Sequence, residues 1–565
     1  MSPLENEPVR QLDNISPTAQ LGRTAGAAVG LLAAITGLAG GELLASSVDG
    51  MLSPIIGVGN RAVDLAPPPA KRFAIATFGT NDKAALLIGM AIAIAVFAMT
   101  TGILSRRRRW VGVLGLSAFG ALGALAAMSG RTGSARAAVP SLLAAAIAIV
   151  ALLAMFAAFA PKHTAAKPSA ARGSVGKTAN SASPGATPID PVWAGIQQRI
   201  AGAEGTQAPR PEVNRRGFLT LGAVAAGAVA MGGAARALQQ QTSNRAKSAI
   251  RNLPLPFKRL APIPPAAQVT ELVGVTPFIT PNKDFYRIDT ALVVPKVDVS
   301  KWTLTIDGMV TRKRVYTYDD LLAMNLIEQD ITLTCVSNEV GGILMGNARW
   351  LGVPLAELLA DAGADPDASQ IIGRSVDGWT AGFPTAALKR SRALVAVGMN
   401  GDPLPFQHGF PARLVVPGIY GYASATKWLE KIELTTLDAA EGYWVPRGYS
   451  KEAPIKMGSR IDVPRGLSTV PAGKTAIAGI AWSQTIGISR VEVKVDNEAW
   501  QEATLATEVD TDTWRQWKFE WDATTGQHEI TVRAFDAAGK LQTEARVAPL
   551  PNGATGWHQV VVFVS

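Results

Sequence analysis

The chain has 565 residues, too many for a single hydrophobic core, so several domains are expected. Hydrophobic residues make up 48% of the sequence and charged residues only 17%, which indicates that part of the chain lies in lipid. Much of the positive excess behind the net charge of +10 lies in short segments beside apolar runs, such as Arg106 to Arg109, and no basic face with interleaved aromatic residues appears. The composition therefore favours membrane lipid as a partner and argues against nucleic acid.

Five apolar stretches lie in the first half of the chain, and each is close to the roughly 20 residues that a helix needs to cross a bilayer. The alternative is a buried, alanine-rich soluble bundle. Such helices normally carry a polar stripe, and the second and fourth stretches carry none. We therefore predict a transmembrane α-helical anchor, with four spans in residues 1–160 and a fifth in residues 217–236. The stretches cover about Ala25–Ala45, Ala84–Leu104, Val111–Met128, Ala138–Ala160 and Phe218–Ala235.

The flanking charges predict the orientation of these spans. The run from Arg106 to Arg109 lies between the second and third spans and is expected in the cytoplasm. Alternation then places residues 161–216 in the cytoplasm too, and this segment has eight Lys or Arg against three acidic residues. Its richness in Ala, Ser, Pro and Gly is typical of a flexible linker. The sequence therefore predicts a multi-pass protein of the cell membrane, with everything after about Ala235 on the extracytoplasmic side.

The entry to the fifth span resembles a twin-arginine export signal in an internal position. The residues are Asn214-Arg215-Arg216-Gly217-Phe218-Leu219-Thr220. That route carries proteins that are already folded, as a domain loaded with a cytoplasmic cofactor would require. An ordinary positively charged flank is the alternative, and it gives the same topology.

Two folded parts are predicted after this span. Residues 251–446 mix short strands and helices, for example Trp302–Gly308 and the helix start at Tyr318, so an α+β core is expected. Residues 454–565 alternate apolar and polar positions in segments such as Val491–Val495 and Glu529–Phe535, separated by Gly, Asp and Asn turns. This pattern predicts an immunoglobulin-like β-sandwich.

Two segments of the α+β part could carry chemistry. Cys335, the one cysteine, ends an apolar strand and precedes a polar, glycine-containing loop, where a thiolate could bind a soft metal. A small buried hydrophobe is the alternative role for this cysteine. In the second segment His408, Arg413 and Lys427 could converge on a phosphate, although each alone is typical of a solvated surface charge.

Together these segments resemble the sulfite-oxidase family of molybdopterin oxidoreductases over about residues 269–565, roughly half of the chain. The order and spacing of the motifs carry the resemblance, and no single motif would suffice. The motifs are Thr280-Pro281-Asn282 with Phe285-Tyr286, the lone Cys335, Gly346–Leu355, Asp377-Gly378-Trp379-Thr380, His408–Trp428, Gly442-Tyr443-Trp444, Arg447–Ser450 and Gly553–His558.

The resemblance implies a molybdenum–molybdopterin cofactor. Cys335 would be the protein thiolate on molybdenum, and Tyr449 would stand at the position of the family's active-site tyrosine. With Arg287 these two residues form the candidate catalytic set. The pterin and its phosphate would be held by Tyr286, Thr380, His408, Arg413, Ala425, Thr426 and Lys427. The C-terminal β-domain resembles the family's dimerisation domain, so a homodimer is one expectation.

The chain departs from the family in the residues that would bind an anionic substrate. Glu339 and Val340 stand where sulfite oxidases carry arginines after the cysteine. The family's arginine after the aromatic pair is displaced, because this chain has Arg287-Ile288, one residue early. In an extended segment a shift of one residue points a side chain to the opposite face. No arginine is evident near Pro551-Asn552-Gly553. We therefore expect sulfite to bind poorly.

The preferred hypothesis is an extracytoplasmic oxidoreductase that transfers oxygen atoms to or from a small-molecule substrate. The alternatives are a sulfoxide or N-oxide reductase of the same family and a non-catalytic exported binding module. The four histidines, His163, His408, His528 and His558, all lie outside the apolar stretches, so paired haem ligands in the membrane are not expected. Electrons would then pass through a separate partner, such as a cytochrome or a membrane redox protein.

Overall fold

A computed structural model describes residues 21–48, 50–78, 81–159, 215–248, 253–389 and 391–565. Residues 161–214 of the predicted linker lie outside these residues. They include Asn214 of the twin-arginine-like motif, and the side chain of Arg215 is not described either. The chain divides into two compact units, Met1–Leu238 and Gln239–Ser565.

The first unit is helical. Its helices are α1 (Arg23–Ser47), α2 (Pro54–Leu65), α3 (Pro68–Phe78), α4 (Asp82–Ser105), α5 (Arg109–Met128), α6 (Val139–Ala158) and α7 (Arg215–Ser248). The last of these, α7, begins in the first unit and ends in the second. Within the described residues, the five predicted apolar stretches are helical over most of their length, and five helices are long and apolar enough to cross a membrane. The short helices α2 and α3 were not predicted.

Small residues allow the long helices to approach each other closely. A Cβ atom on Gly30 of α1 would stand 2.1 Å from the carbonyl oxygen of Ala98 and 2.8 Å from the Cα of Gly102 on α4. A Cβ on Gly37 would stand 2.3 Å from the carbonyl oxygen of Ala144 on α6. Such backbone contact is how helices pack where apolar solvent gives no hydrophobic driving force.

The second unit begins with an α+β domain. Its short helices are α8 (Tyr318–Ala323), α9 (Leu355–Ala362) and α10 (Gly421–Ser424). One sheet has the order β2-β1-β10-β5-β6, with β1 and β10 parallel, and the other has the order β3-β4-β7-β8, with β9 beside β7. The strands are β1 (Thr303–Gly308), β2 (Arg314–Thr317), β3 (Ile327–Thr334), β4 (Met345–Pro354), β5 (Gln370–Ser375), β6 (Thr380–Pro384), β7 (Leu394–Met399), β8 (Asp402–Pro403), β9 (Arg413–Val415) and β10 (Leu429–Thr435).

The rest of the unit is the β-sandwich that the alternating pattern predicted. Two sheets, β11-β13-β17-β16 and β12-β19-β18-β14-β15, enclose a core around Trp517, Ile477 and Ile530. The strands are β11 (Gly458–Val463), β12 (Thr469–Val470), β13 (Gly473–Trp482), β14 (Ile488–Val495), β15 (Gln501–Glu502), β16 (Thr504–Leu505), β17 (Arg515–Ala523), β18 (Gly526–Asp536) and β19 (His558–Val564).

The two domains of the second unit share an apolar contact. Phe278 and Met345 from the α+β part cluster with Ile480, Trp482 and Trp514 from the β-sandwich. The Trp514 indole also donates a hydrogen bond to the carbonyl oxygen of Phe278 at 3.0 Å. The sandwich therefore packs directly against the sheet that contains β3, which leads to Cys335.

Candidate active site

Cys335 follows the last residue of β3 and begins a tightly closed loop to β4. Its backbone N–H donates to the carbonyl oxygen of Leu344 at 2.9 Å, and the N–H of Leu344 donates to the Asn338 side-chain oxygen at 2.8 Å. The N–H of Asn338 returns to the carbonyl oxygen of Cys335 at 3.0 Å. These bonds fix the backbone on which the thiol is carried. We call residues 336–344 the cysteine loop.

The thiol is 8% exposed, and burial raises its pKa, with hydrogen bonds from the backbone and hydroxyl of Ser337 offsetting part of that effect. Burial raises the pKa values of Tyr286 and Tyr420. Both tyrosines are also close enough to Cys335 that a charge on its sulfur would raise these pKa values further. The protein alone therefore holds a neutral thiol near two neutral phenols. Binding to a metal ion would require release of the thiol proton.

Three basic side chains lie close together where one segment of the chain pairs with a later one. His408 ends a short 3₁₀ turn, Arg413 begins β9, and Lys427 precedes β10. The N–H of Leu414 donates to the carbonyl oxygen of Thr426 at 3.0 Å, which places the second and third of these residues side by side. Gly409 lies between them, because a Cβ there would stand 3.1 Å from both side chains.

Two members of this group, which we call the cation cluster, keep unused N–H donors. Arg413 is 5% exposed, donates from Nη1 to the carbonyl oxygen of His408 at 3.0 Å, and stacks over Trp350, while its Nε has no partner among the described residues. Lys427 donates to the Asp289 carboxylate at 2.6 Å and to the carbonyl oxygen of Gln407 at 3.2 Å, which uses two of its three N–H groups.

Burial sets the protonation states of the cluster. It lowers the pKa of Arg413 to about 10 and that of Lys427 to about 8, with nearby Asp289 opposing the second shift. It also lowers the pKa of His408 to about 4, helped by the charge of Arg413, so this imidazole is neutral at pH 7. Its Nε2 lies 3.0 Å from the carbonyl oxygen of Asn282 and donates to it in the neutral form.

The remaining predicted residues surround this arrangement. Ala425 caps α10, and the buried Thr426 hydroxyl donates to the carbonyl oxygen of Gly373 at 3.5 Å. Thr380 begins β6, and its carbonyl oxygen accepts from the N–H of Tyr443. Arg287 is partly exposed and bonds to Asp289 at 3.0 Å, so it joins the edge of the cation cluster.

Tyr449 belongs to a separate group of aromatic rings. Its ring packs 5.1 Å from Tyr422 and 5.4 Å from Trp444, measured between ring centroids. The Tyr422 hydroxyl donates to the carbonyl oxygen of Ser450 at 2.6 Å, which fixes that ring against Tyr449. Tyr420 lies near Tyr422 on one side and near Cys335 on the other, so it links the aromatic group to the thiol.

The β-sandwich supports the cysteine loop from outside. Arg460 of β11 donates to the carbonyl oxygen of Gly342 at 2.7 Å, to the Thr276 hydroxyl at 2.6 Å and to Asp462 at 2.7 Å. Gly341, with φ of +80°, has no room for a side chain, because a Cβ would stand 2.3 Å from Nε2 of His558. The loop is therefore shaped jointly by both domains.

The donor set fits a thiolate-bound metal with a phosphorylated organic ligand. Cys335 supplies a soft ligand, and a buried arginine with an unpartnered Nε lies in a cluster that also holds Lys427. Unpaired buried donors are costly, so a guanidinium N–H left without a partner in the described part of the chain indicates an anion as its natural partner.

Comparison with known proteins identifies the two domains. Residues 291–444 match the oxidoreductase molybdopterin binding domain, and residues 459–532 match a bacterial Ig domain. Mitochondrial sulfite oxidase of Homo sapiens is 30% identical over 342 residues, which cover 51% of this chain and 62% of the human protein. The chain belongs to the sulfite-oxidase family. Its molybdopterin-binding domain implies a molybdenum–molybdopterin cofactor.

Two further proteins are similar to about half of the chain. Sulfite oxidase of Arabidopsis thaliana is 28% identical over 353 residues, which cover 51% of this chain and 89% of the plant protein. Sulfane dehydrogenase SoxCD from Paracoccus pantotrophus aligns with a TM-score of 0.45 and 22% identity, over 52% of this chain and 84% of that chain. This chain therefore spans about three fifths of the human family member and most of the plant one.

Several residues of the site were not predicted. Asp289 pairs with Lys427, Tyr420 lies beside Cys335, and Arg460 anchors the cysteine loop. Asp289 lies only two residues from Arg287, but an acid in an irregular segment carries no periodic signal. Arg460 lies in the strand β11, where four consecutive residues are buried, so period-two alternation gives no sign that its side chain faces inward.

Proposed function

We propose that this protein is a membrane-anchored molybdopterin-dependent oxidoreductase that transfers an oxygen atom to or from a small molecule outside the cytoplasm. The observation that carries the proposal is a buried thiol after β3 and a buried arginine with an unpartnered Nε among the described residues, both close enough to Tyr286 for their charges to act on it. Family membership supports it.

Some residues of the site would bind the cofactor, and others would contact the substrate. When bound, the molybdenum–molybdopterin group would supply the two-electron redox chemistry. Cys335 would hold the metal, while Arg413 and Lys427 would bind the phosphate through charge-assisted hydrogen bonds. Tyr286 is a neutral donor at physiological pH, and burial, with the nearby Cys335, raises its pKa further above that range. Tyr449, held between Tyr422 and Trp444, would face the substrate.

Metal and pterin content test this proposal. The full chain is purified from a host that makes molybdopterin, beside a Cys335→Ser variant. We expect about one molybdenum and one pterin per chain in the native protein and loss of metal, with retained pterin, in the variant. A folded native protein that contains neither would refute the proposal, and the non-catalytic binding module would become the better hypothesis.

Membrane insertion with the catalytic domain outside is part of the proposal. It is supported by the five long apolar helices and by the position of Arg106 to Arg109 between α4 and α5. Because Cys335 is the sole cysteine, single cysteines can be introduced into a Cys335→Ser background. A cysteine replacing Ser300 should react with an impermeant maleimide on intact cells, and one replacing Arg107 should not. The reverse pattern would overturn the orientation.

The charge of the cysteine loop favours a neutral substrate over sulfite. Glu339 is exposed in this loop, where an approaching anion would meet a like charge. This observation favours the second candidate activity, reduction of a sulfoxide or N-oxide. Turnover of sulfite and of dimethyl sulfoxide, measured with artificial electron carriers in native and Glu339→Gln protein, separates the two. Faster sulfite oxidation in the variant would show that Glu339 selects against anions.

Electron exchange would use a separate partner, a cytochrome or a membrane redox protein, since no histidine lies in the apolar stretches. A homodimer formed through the β-sandwich remains part of the proposal, and the mass of the detergent-solubilised protein tests it.

A further inference from the structure

Asp289 is a buried carboxylate held between two cations at the edge of the cation cluster. Its Oδ2 accepts from Nζ of Lys427 at 2.6 Å and from Nε of Arg287 at 3.0 Å. The Asp289 side chain is 4% exposed and that of Lys427 is 10% exposed, whereas Arg287 is 39% exposed. The tight pair is therefore Asp289 with Lys427, and Arg287 covers it from the solvent side.

Lys427 depends on this carboxylate. A buried ammonium group without an opposite charge pays a large desolvation penalty, which a protein usually avoids by releasing the proton or exposing the group. Among the described residues, Lys427 also has near it the carbonyl oxygen of Gln407, the ring of Trp428 at 4.7 Å, and like charges from Arg413 and Arg287. Asp289 is thus the carboxylate that keeps the ammonium both charged and in place.

The geometry also leaves one donor of Lys427 for a ligand. Asp289 and Gln407 take two of the three N–H groups in fixed directions, so the direction of the third is set. Arg413, whose Nε lacks a partner within the described residues, lies beside Lys427 across Gly409. A phosphate between these two side chains would receive a guanidinium and an ammonium donor together.

We propose that Asp289 is a positioning residue, which holds Lys427 charged and correctly aimed so that the cofactor-free protein can capture the phosphate of molybdopterin. This inference rests on the proposed function, because it takes the cation cluster as the phosphate site. It also predicts the direction in which removal of Asp289 changes cofactor loading. If Asp289 only repelled the phosphate, its removal would improve loading. If it positions Lys427, its removal impairs loading.

The test compares cofactor content across four full-length proteins, namely native, Asp289→Asn, Lys427→Met and the double variant. Molybdenum is measured by mass spectrometry and pterin by fluorescence after oxidative release, both per folded chain in a monodisperse peak. We expect Asp289→Asn to lower pterin content about tenfold, as loss of an outer-shell partner typically does. The double variant should be no lower than Lys427→Met alone, because Asp289 acts through Lys427.

Two further variants keep the test decisive. Asp298→Asn is the matched control, since Asp298 is a solvent-facing aspartate bonded to Ser300, and it should load like the native protein. Asp289→Glu keeps the charge but displaces it, and it should load less than native protein at an unchanged melting temperature, which separates positioning from folding. The positioning role of Asp289 would be overturned, with the phosphate site kept, if Asp289→Asn and Asp289→Glu both load at or above the native level while Lys427→Met is deficient. Full loading of Lys427→Met would overturn the phosphate site itself.

Discussion

Replacement of Arg460 by methionine should loosen the cysteine loop from the β-sandwich. Arg460 is 5% exposed and makes three hydrogen bonds of 2.6–2.7 Å, to the carbonyl oxygen of Gly342, the Thr276 hydroxyl and Asp462. Methionine fills the space of the aliphatic stem but leaves the buried Asp462 carboxylate without its cation. Breaking a buried pair from one side costs about 3–5 kcal/mol, and the bond to Gly342 is part of that sum.

Thermal unfolding of the purified full chain measures the loss. Since 1 kcal/mol shifts the melting temperature of a domain of about 150–250 residues by about 2–4 °C, a loss of about 3–5 kcal/mol corresponds to a fall of roughly 6–20 °C. Molybdenum content should fall as well, because Gly342 belongs to the loop that follows Cys335. Lys474→Met is the control, since Lys474 pairs with Asp522 at the surface and both are about three-quarters exposed. An Arg460→Met protein that melts like the native one and keeps its metal would refute the view that the β-sandwich shapes the site.

Three other predictions follow from the same contacts. Because burial raises the pKa of Cys335, the cofactor-free protein should be alkylated by iodoacetamide at pH 7 far more slowly than a model thiol, and peptide mass spectrometry would show equal rates if the thiol were open. Gly553→Ala should destabilise the protein more than Gly539→Ala: both glycines have positive φ, but only at Gly553 would a Cβ meet another group, 2.2 Å from the Tyr420 hydroxyl. Equal melting temperatures of these variants would exclude that contact. Burial raises the pKa of Asp512 to about 6, above its unfolded value of roughly 4, so its ionisation should lower stability as pH rises through that interval. Asp512→Asn should therefore melt higher than native protein at pH 7.5 and close to it at pH 4, and the opposite order would contradict the assigned shift.

Much of the fold could be predicted from local patterns. Long apolar runs predicted the five long helices, and period-two alternation predicted the β-sandwich. The short helices Pro54–Leu65 and Pro68–Phe78 were missed, because an apolar run of about 20 residues is the signal for a span and neither helix contains one.

The site was predicted less completely, because its supporting contacts join distant segments. Cys335, His408, Arg413 and Lys427 could be chosen from their motifs, and the structure brings the last three together. The role of Arg460 depends on the carbonyl oxygen of Gly342, and no local pattern records a contact across that separation. Asp289 likewise becomes visible only when Lys427 is placed beside it.

The support of the cysteine loop by Arg460 and His558 has a consequence for the timing of biosynthesis. His558 lies near the end of the sequence, on the strand His558–Val564, which pairs with Gly526–Asp536. When Cys335 has just emerged from the ribosome during synthesis, Arg460 and His558, which contact this loop, have not yet been synthesised. Cofactor capture by the finished loop must then wait until the β-sandwich has been synthesised and folded. A translocon that threads the chain outward during synthesis would remove Cys335 from the cytoplasm before that moment, whereas export after folding would allow loading first.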